Sequence, residues 1–503
     1  MNAIIFAPIL IAVVSGVYLL ISSFIDHVKG RGTPGQPITE EQKRRLHIFV
    51  LSMTFLIAAL VFYIVLTAPY EYHLLTFVGD LTVYFYTDNV SRLFATVTTV
   101  AWVFVGIYAT EYMEHGRGEK RFYGFYLLLF GVLLGRDFAG NLITMYLFYE
   151  LMTITSVPLV LHNRSKQAII AAMKYLLFSM AGAYSALFGI FVLYKYCGTL
   201  NFVAGGSLEI SSATGQKWIV LIAIFCMIVG FGAKAGMLPL HGWLPIAHPV
   251  APAPASAVLS AVIVKGGVLA LIRTVYYVVG PDFIRGTWVQ YAWMTLCLIT
   301  VFMGSLLAFR EQQFKKRLAY STVSQVSYIL FGLATLSTVG LTGALLHYVY
   351  HSIIKTALFL TAGIIIYRSG KKYVYEYDGI GRRMPMTLWA YTGLALALIG
   401  IPPTCGFISK WYLAQGALGA DIGVFRYLGP AVLLVSALLT AGYLLPITIQ
   451  GFLPGKDCTV EHKWDKFDRM GAVVLILSIL ALLLGMFPNS LIQYVSDIAA
   501  SLV

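Results

Sequence analysis

Apolar stretches long enough to cross a bilayer, roughly 20 residues each, follow one another along this chain almost without pause. They lie at about 3–25, 48–68, 89–111, 122–137, 139–161, 168–196, 218–240, 249–278, 287–309, 319–337, 340–367, 386–416, 427–452 and 468–495. That succession predicts an all-α polytopic membrane protein of about fourteen transmembrane helices. Composition closes the alternative. Of 503 residues, 59% are hydrophobic and 11% charged, against about a quarter charged in a soluble domain, so a large soluble enzyme is excluded. The first run is expected to stay as a membrane helix, because it is too long for the core of a signal peptide and has no basic segment before it. The longest polar stretch, about 26–47, is too short to build a core and reads as a flexible basic loop.

A net charge of +13 would suggest nucleic acid in a soluble protein. Here it reports topology, and no nucleic-acid partner is expected. Connections 1–2, 3–4, 5–6, 7–8, 9–10, 11–12 and 13–14 carry 23 Lys or Arg, and the alternate set carries 6. The first set is therefore expected in the cytoplasm and both chain ends outside. The cysteines Cys197, Cys226, Cys297, Cys405 and Cys458 show no CxxC pair and no metal-ligand spacing. No GxGxxG, Walker-type loop or HExxH motif appears. No metal and no cofactor is expected in this chain.

The remaining basic residues fall within the spans: Arg92, Lys174, Lys234, Lys265, Lys355 and Lys410. Arg92 is expected at the interface beside Asp88. Lys174 lies within snorkelling reach of a helix end, which leaves a structural role and a functional one open. The other four are deep. Among the acids, only Glu150 falls at mid-span, while Asp137 sits at a helix junction. An ionisable group at bilayer depth costs about 2.5–3.5 kcal/mol. Five facing lipid would cost more than ~10 kcal/mol, the scale of a whole domain's stability. They must face one another or water inside the bundle.

Two of these lysines sit where helices should break. FGAKAGMLPLHGWLP sets Lys234 before Pro239 and Pro245, and LIGIPPTCGFISKW sets Pro402, Pro403 and Gly406 before Lys410. Proline removes a backbone donor and clashes with the preceding turn. Unwound backbone at that depth survives only where protein covers it or it lines a cavity. Paired broken helices point to an inverted repeat with a transport path at its interface. The breaks fall in helices seven and twelve, an odd number of helices apart, so the repeats are assigned to helices 4–8 and 9–13. The expected divisions are 1–121 (helices 1–3), 122–278 (first repeat), 287–452 (second repeat) and 453–503 (helix fourteen).

The chemistry of this set points to protons. A lysine desolvated among cations releases its proton more readily, and a nearby carboxylate opposes that. The distance between Glu150 and Lys234 can therefore act as a switch. In HYVYHSIIK, His347, His351 and Lys355 stand at i, i+4 and i+8, one stripe over about 12 Å. A lone histidine there is more often structural, but two in line with a buried lysine favour a relay.

At these motifs the sequence resembles the antiporter-like membrane subunits of the complex I superfamily, which includes respiratory NADH–quinone oxidoreductase, membrane-bound hydrogenases and Mrp antiporters. The resemblance rests on NLITMYLFYE, AKAGMLPLHGWLPIAHPVAPAPASAVLSAVIVKGG, KRLAYSTVSQVSYILFG, HSIIKTALFLTAG and GIPPTCGFISKW, in the family's order. It implies fourteen helices with inverted repeats. It implies that Glu150 is the fifth-helix glutamate, Lys234 the broken-helix lysine and Lys265 the central eighth-helix lysine. It places His347, His351 and Lys355 in the eleventh-helix motif, and Lys410 at the twelfth-helix exit. Tyr149 stands where the family commonly has tryptophan, and the 26–47 loop is longer and more basic than expected, a candidate contact with a neighbouring subunit. The long lateral helix of the family's largest member is expected to be absent.

The expected activity is proton or sodium translocation within a redox-driven complex, with no redox site in this chain. The expected partners are other antiporter-like and small membrane subunits, a redox arm with iron–sulfur subunits, and the lipid of a bacterial or archaeal cell membrane. The rival is an Mrp-type sodium/proton antiporter subunit with no redox partner. A carrier for an organic solute fits less well, because the buried charges form a line instead of a single pocket.

Overall fold

A computed structural model of the chain describes residues 2–29, 39–78, 81–114, 118–197, 199–208, 214–454, 465 and 467–503. Helix α1 (Ala7–Val28) is followed by α2 (Glu40–Thr67), which opens on a reciprocal cap between Thr39 and Gln42. Then come strands β1 (Glu71–Val78) and β2 (Leu81–Tyr86). Helix α3 (Asn89–Tyr112) opens on a second reciprocal cap, Asp88 with Ser91. Next are α4 (Glu119–Asp137), α5 (Leu142–Val160), α6 (Lys166–Tyr196) and α7 (Lys217–Ala235). The span Ala253–Val279 is α8. It is followed by α9 (Trp288–Arg310), α10 (Phe314–Ala334) and α11 (Thr338–Ser369). The chain continues through α12 (Pro385–Ile399), α13 (Cys405–Gly419), α14 (Phe425–Phe452), α15 (Arg469–Met486) and α16 (Asn489–Leu502).

Three expectations need correcting. The chain is not purely helical: β1 and β2 form an antiparallel hairpin pairing Glu71 with Tyr86 and Val78 with Leu81. Its aromatic and β-branched residues suit a pleated surface. Among the described residues 11 helices are long and apolar enough to cross a membrane. Helices also occupy the other three expected segments. Of these, α4 is charged at both ends, α10 carries Lys315, Lys316 and Arg317 in its first turns, and the third is divided between α12 and α13. The two ends of the 26–47 segment are helical, because α1 runs to Val28 and α2 starts at Glu40; residues 30–38 lie outside the described residues. Two of the expected break residues start helices instead. Pro245 stands in the first turn of a short helix, Leu244–Val250, and Gly406 in the first turn of α13. Proline's missing N–H is harmless at that point of a helix.

Burial sorts the helices into layers. The apolar window of α8 is 100% buried and that of α11 is 89% buried, whereas those of α2 and α14 are each 33% buried. So α8 and α11 are the axis, and the outer helices present apolar faces outward. Small residues set the closest approach. A Cβ at Gly182 of α6 would come within 2.5 Å of the Gly230 carbonyl of α7, and one at Gly230 within 2.4 Å of the Gly182 carbonyl. Glycine at both positions lets the two backbones touch, which brings the lysine of α7 against the hydroxyls of α6. Residues from connections 1–2, 3–4, 5–6, 7–8, 9–10 and 11–12 line one cavity, among them His27, Arg121, Arg164, Val250, Lys315 and Lys372. Those connections therefore share a face of the molecule.

Candidate functional site

Lys234 is fully buried one residue before the end of α7. Its Nζ donates to Thr153 Oγ1 at 2.8 Å, Tyr175 OH at 2.8 Å and Ser179 Oγ at 3.2 Å. All three acceptors are neutral and come from α5 and α6. Glu150 lies one turn before Thr153 on α5 and is half-buried. It is close enough to interact electrostatically with Lys234, yet its Oε1 has no hydrogen-bond partner and the two form no ion pair. The lysine is thus held by hydroxyls, with the carboxylate nearby against Tyr146 and not paired with the lysine.

Past Lys234 the helix ends at Gly236, whose φ of +80° suits glycine. The chain does not re-form a helix until Leu244. Backbone groups in the gap find partners: Trp243 Nε1 donates to the Ala233 carbonyl at 3.0 Å, and the Leu238 N–H to Thr300 Oγ1 at 3.1 Å. The second break is closed differently. Lys410 of α13 reaches back and donates to the Leu398 and Ile399 carbonyls at the end of α12, each at 2.7 Å. A cation there satisfies orphan carbonyls and opposes the negative end of the helix.

Between the breaks runs a line of buried bases. Lys265 lies just beyond a π-helical turn, Leu259–Ile263, and a second π stretch, Arg273–Val279, closes α8. Such insertions recur at functional sites. Lys265 Nζ donates to the Ser260 carbonyl. Lys355 Nζ donates to the Leu318 carbonyl at 3.0 Å. His351 is fully buried and neither ring nitrogen has a partner. It lies within electrostatic range of Lys265, Lys355 and Lys410. Its ring centroid is 5.8 Å from that of His347, whose Nδ1 meets Ser409 Oγ at 2.9 Å and whose Nε2 meets Gln325 Oε1 at 3.1 Å. Among the described residues, no carboxylate lies within ion-pair distance of Lys234, Lys265, Lys355 or Lys410. Of the expected residues, Lys265, Lys355, His347 and Lys410 gather within electrostatic range of His351, and Lys234 lies with Glu150.

Sequence reasoning overlooked the partners of Asp137 and Asp88. Arg136 and Asp137 form a buried pair at the end of α4, with Thr98 donating to Asp137 Oδ2 at 2.7 Å. Arg273 of α8 holds Asp88 with two guanidinium nitrogens. Asp88 therefore serves Arg273 and not the side chain of Arg92, the expected neighbour. Counting charges by connection places both arginines in loops, although Arg273 falls inside the span read at 249–278. That position was the signal. Burial by itself would raise the Asp88 carboxyl, but the Arg273 guanidinium beside it reverses the effect and holds it down at about 2. His248 was also overlooked. It is fully buried against Phe359, has no partner on either ring nitrogen, and lies within range of Lys265, Lys315 and Lys355. Lys174 is exposed on α6. Among the described residues no three His, Cys, Asp or Glu side chains converge as metal ligands would.

Apolar helices in membrane-crossing number, wrapped around a buried file of bases between two interrupted helices, define a multi-pass membrane protein with an ionisable interior. Similarity to known proteins specifies which kind. A family description reading NADH:quinone oxidoreductase/Mrp antiporter, transmembrane, matches residues 139–436, and one for the N-terminus of complex I chain 5 matches residues 76–123. The chain belongs to this family of antiporter-like subunits. It is 34% identical over 410 residues to NADH-quinone oxidoreductase subunit N of Desulforudis audaxviator, covering 78% of this chain and 80% of the relative. It is 30% identical to a Na(+)/H(+) antiporter subunit of Bacillus subtilis, with 83% of each chain covered. Its fold is shared with a chain of the archaeal membrane-bound sulfane sulfur reductase at a TM-score of 0.84 and 22% identity, over 99% of this chain and 97% of that one.

Proposed function

We propose that the chain translocates protons, or sodium ions, as one subunit of a redox-driven membrane complex. The observation that carries this reading is the file Lys234, Lys265, Lys355, His351, His347 and Lys410, buried without carboxylate partners and flanked by Glu150. Movement of a charge in a neighbouring subunit shifts Glu150 relative to Lys234. Bringing the carboxylate in favours the protonated lysine, and withdrawing it releases the proton toward Lys265. From there His351 and His347 relay it toward Lys410. Moving one charge against about 150 mV costs roughly 3.5 kcal/mol, which equals a several-hundredfold change in a lysine's proton affinity at about 1.4 kcal/mol per tenfold. The switch is adequate in size. The direction of travel follows the family resemblance.

The same reading takes fourteen membrane spans, inverted repeats over helices 4–8 and 9–13 (122–278 and 287–452), and the basic connections in the cytoplasm with both ends outside. It takes further membrane subunits and an iron–sulfur redox arm as partners. A second reading, an Mrp-type sodium/proton antiporter subunit, is favoured by the similarity to the Bacillus subtilis protein. Purifying the native complex discriminates: iron–sulfur or nickel–iron companions fit the first reading, and a complex of membrane subunits alone fits the second. Glu150→Ala tests the switch in either case. The assembled variant should lose most ion translocation, and near-normal translocation would refute the role given to Glu150.

A further inference from the structure

The cavity bounded by six connections has a volume of about 840 Å³ and lies outside the file of bases. Five cations line it, and Lys120 is paired with Asp26, which leaves four: Arg121, Arg164, Lys315 and Lys372. Arg121 and Arg164 are close enough to repel one another, and so are Lys315 and Lys372. The acids of the cavity already have partners. Asp26 pairs with Lys120 at 2.5 Å, and Glu119 pairs with His47 at 2.5 Å. Among the described residues none of the four cations has a carboxylate partner. Arg121 gives one nitrogen to the His162 carbonyl at 2.7 Å, and Lys315 gives one proton to the Ala251 carbonyl.

Lys315 makes the case specific. It is only 7% exposed, and an ammonium carries three donors. It lines the cavity with one protein acceptor for those three donors. Basic residues that merely set topology stand apart in solvated loops. These come from four different connections, crowd against like charges, and one is buried. Crowding of that kind is stabilised by a multivalent anion. Guanidinium groups bind phosphate oxygens in pairs, and an ammonium binds them as a point charge.

We propose that this cavity binds a phosphate group, with Arg121 and Arg164 on one side and Lys315 and Lys372 on the other. The volume is far larger than one inorganic phosphate needs. Part of the wall is Tyr112, Met113, Val250 and Ile366, which suits the glycerol and upper acyl carbons of a phospholipid. A lipid phosphate is the expected source, with soluble phosphate as the other. This proposal does not depend on the transport reading, and its test reads binding alone.

The test uses the full-length chain in its native complex, stripped of lipid in detergent. It is titrated separately with phosphatidylglycerol and with inorganic phosphate, followed by thermal stability and by native mass spectrometry of bound lipid. The unmodified complex should take up one phosphatidylglycerol per chain saturably at this site. The double variant Arg164→Gln with Lys372→Gln changes two exposed residues and should weaken that binding by at least about tenfold, since two charge-assisted contacts are lost. Arg164→Lys with Lys372→Arg keeps the charges and should retain binding, as should Lys174→Gln on the outer face of α6. Saturable protection by inorganic phosphate that displaces the lipid would assign the site to soluble phosphate. Equal affinity in the Arg164→Gln, Lys372→Gln variant, or no saturable response to either titrant, overturns the proposal.

Discussion

At the scale of the residue, the molecule treats its charges in two ways. Asp88 and Arg273 neutralise each other, as do Asp137 and Arg136. Breaking a buried pair leaves an unpaired charge, so Asp88→Asn should cost about 3–5 kcal/mol, read as a lower unfolding temperature in detergent. The Asp88 carboxyl is held down at about 2 in the fold, below the free value of about 3.9. Its contribution is therefore complete above about pH 4 and is lost as pH falls toward 2. The Asp88→Asn variant should lose that part of the acid sensitivity, which an acid-unfolding series measures. Lys410 is different, because its partners are carbonyls. Lys410→Ala strands the Leu398 and Ile399 acceptors and should destabilise by about 1–3 kcal/mol, alongside any loss of translocation. Comparing unfolding temperature with transport rate separates the two effects.

At the scale of the element, the interrupted helices were legible because proline leaves an unambiguous mark. Pro239, Pro402 and Pro403 lie in the gaps the sequence predicted, while Pro245 and Gly406 begin the helices that follow. How each gap is closed was not legible. Trp243 folds back from within its gap, Thr300 and Lys410 reach the freed backbone from neighbouring helices, and no local pattern announces such contacts. The hairpin Glu71–Tyr86 was missed because a short alternating segment between two long apolar runs reads as a loop. Contact between α6 and α7 is another tertiary fact. Gly230→Ala drives a methyl into the Gly182 carbonyl and should cost about 1–3 kcal/mol as overpacking. It should also reduce translocation by displacing Lys234 from Tyr175 and Ser179. Gly393→Ala on α12, where a Cβ meets nothing within 4 Å, should be neutral or stabilising by up to about 1 kcal/mol. Unfolding temperatures of the two variants make the comparison.

At the scale of the whole molecule, the sequence showed that five charges had to be buried together, since lipid excludes them. It also showed that most basic residues belong to alternate connections. The cavity lined by six of those connections agrees with their lying on one face. The sequence hid the order of the file. His351 and His347 stand between Lys265 and Lys410 because α11 passes through the centre of the bundle, and nothing in the spacing of one helix places it there. Arg273 was hidden because charge counting by connection takes it for a loop residue, and His248 by standing alone in a proline-rich segment.

The central claim is that ions cross along the buried lysines. Its most direct measurement is the translocation rate of the assembled complex in sealed vesicles, with Lys265→Ala compared against Lys174→Ala. Lys265 is fully buried at the middle of the file, and Lys174 is exposed on α6. The account predicts that Lys265→Ala lowers the rate by about a hundredfold, the lower end of the roughly 10²–10⁴ that one positioned proton-transfer group contributes. It predicts that Lys174→Ala stays close to the unmodified rate. An assembled Lys265→Ala complex that translocates ions as fast as the Lys174→Ala complex would contradict it.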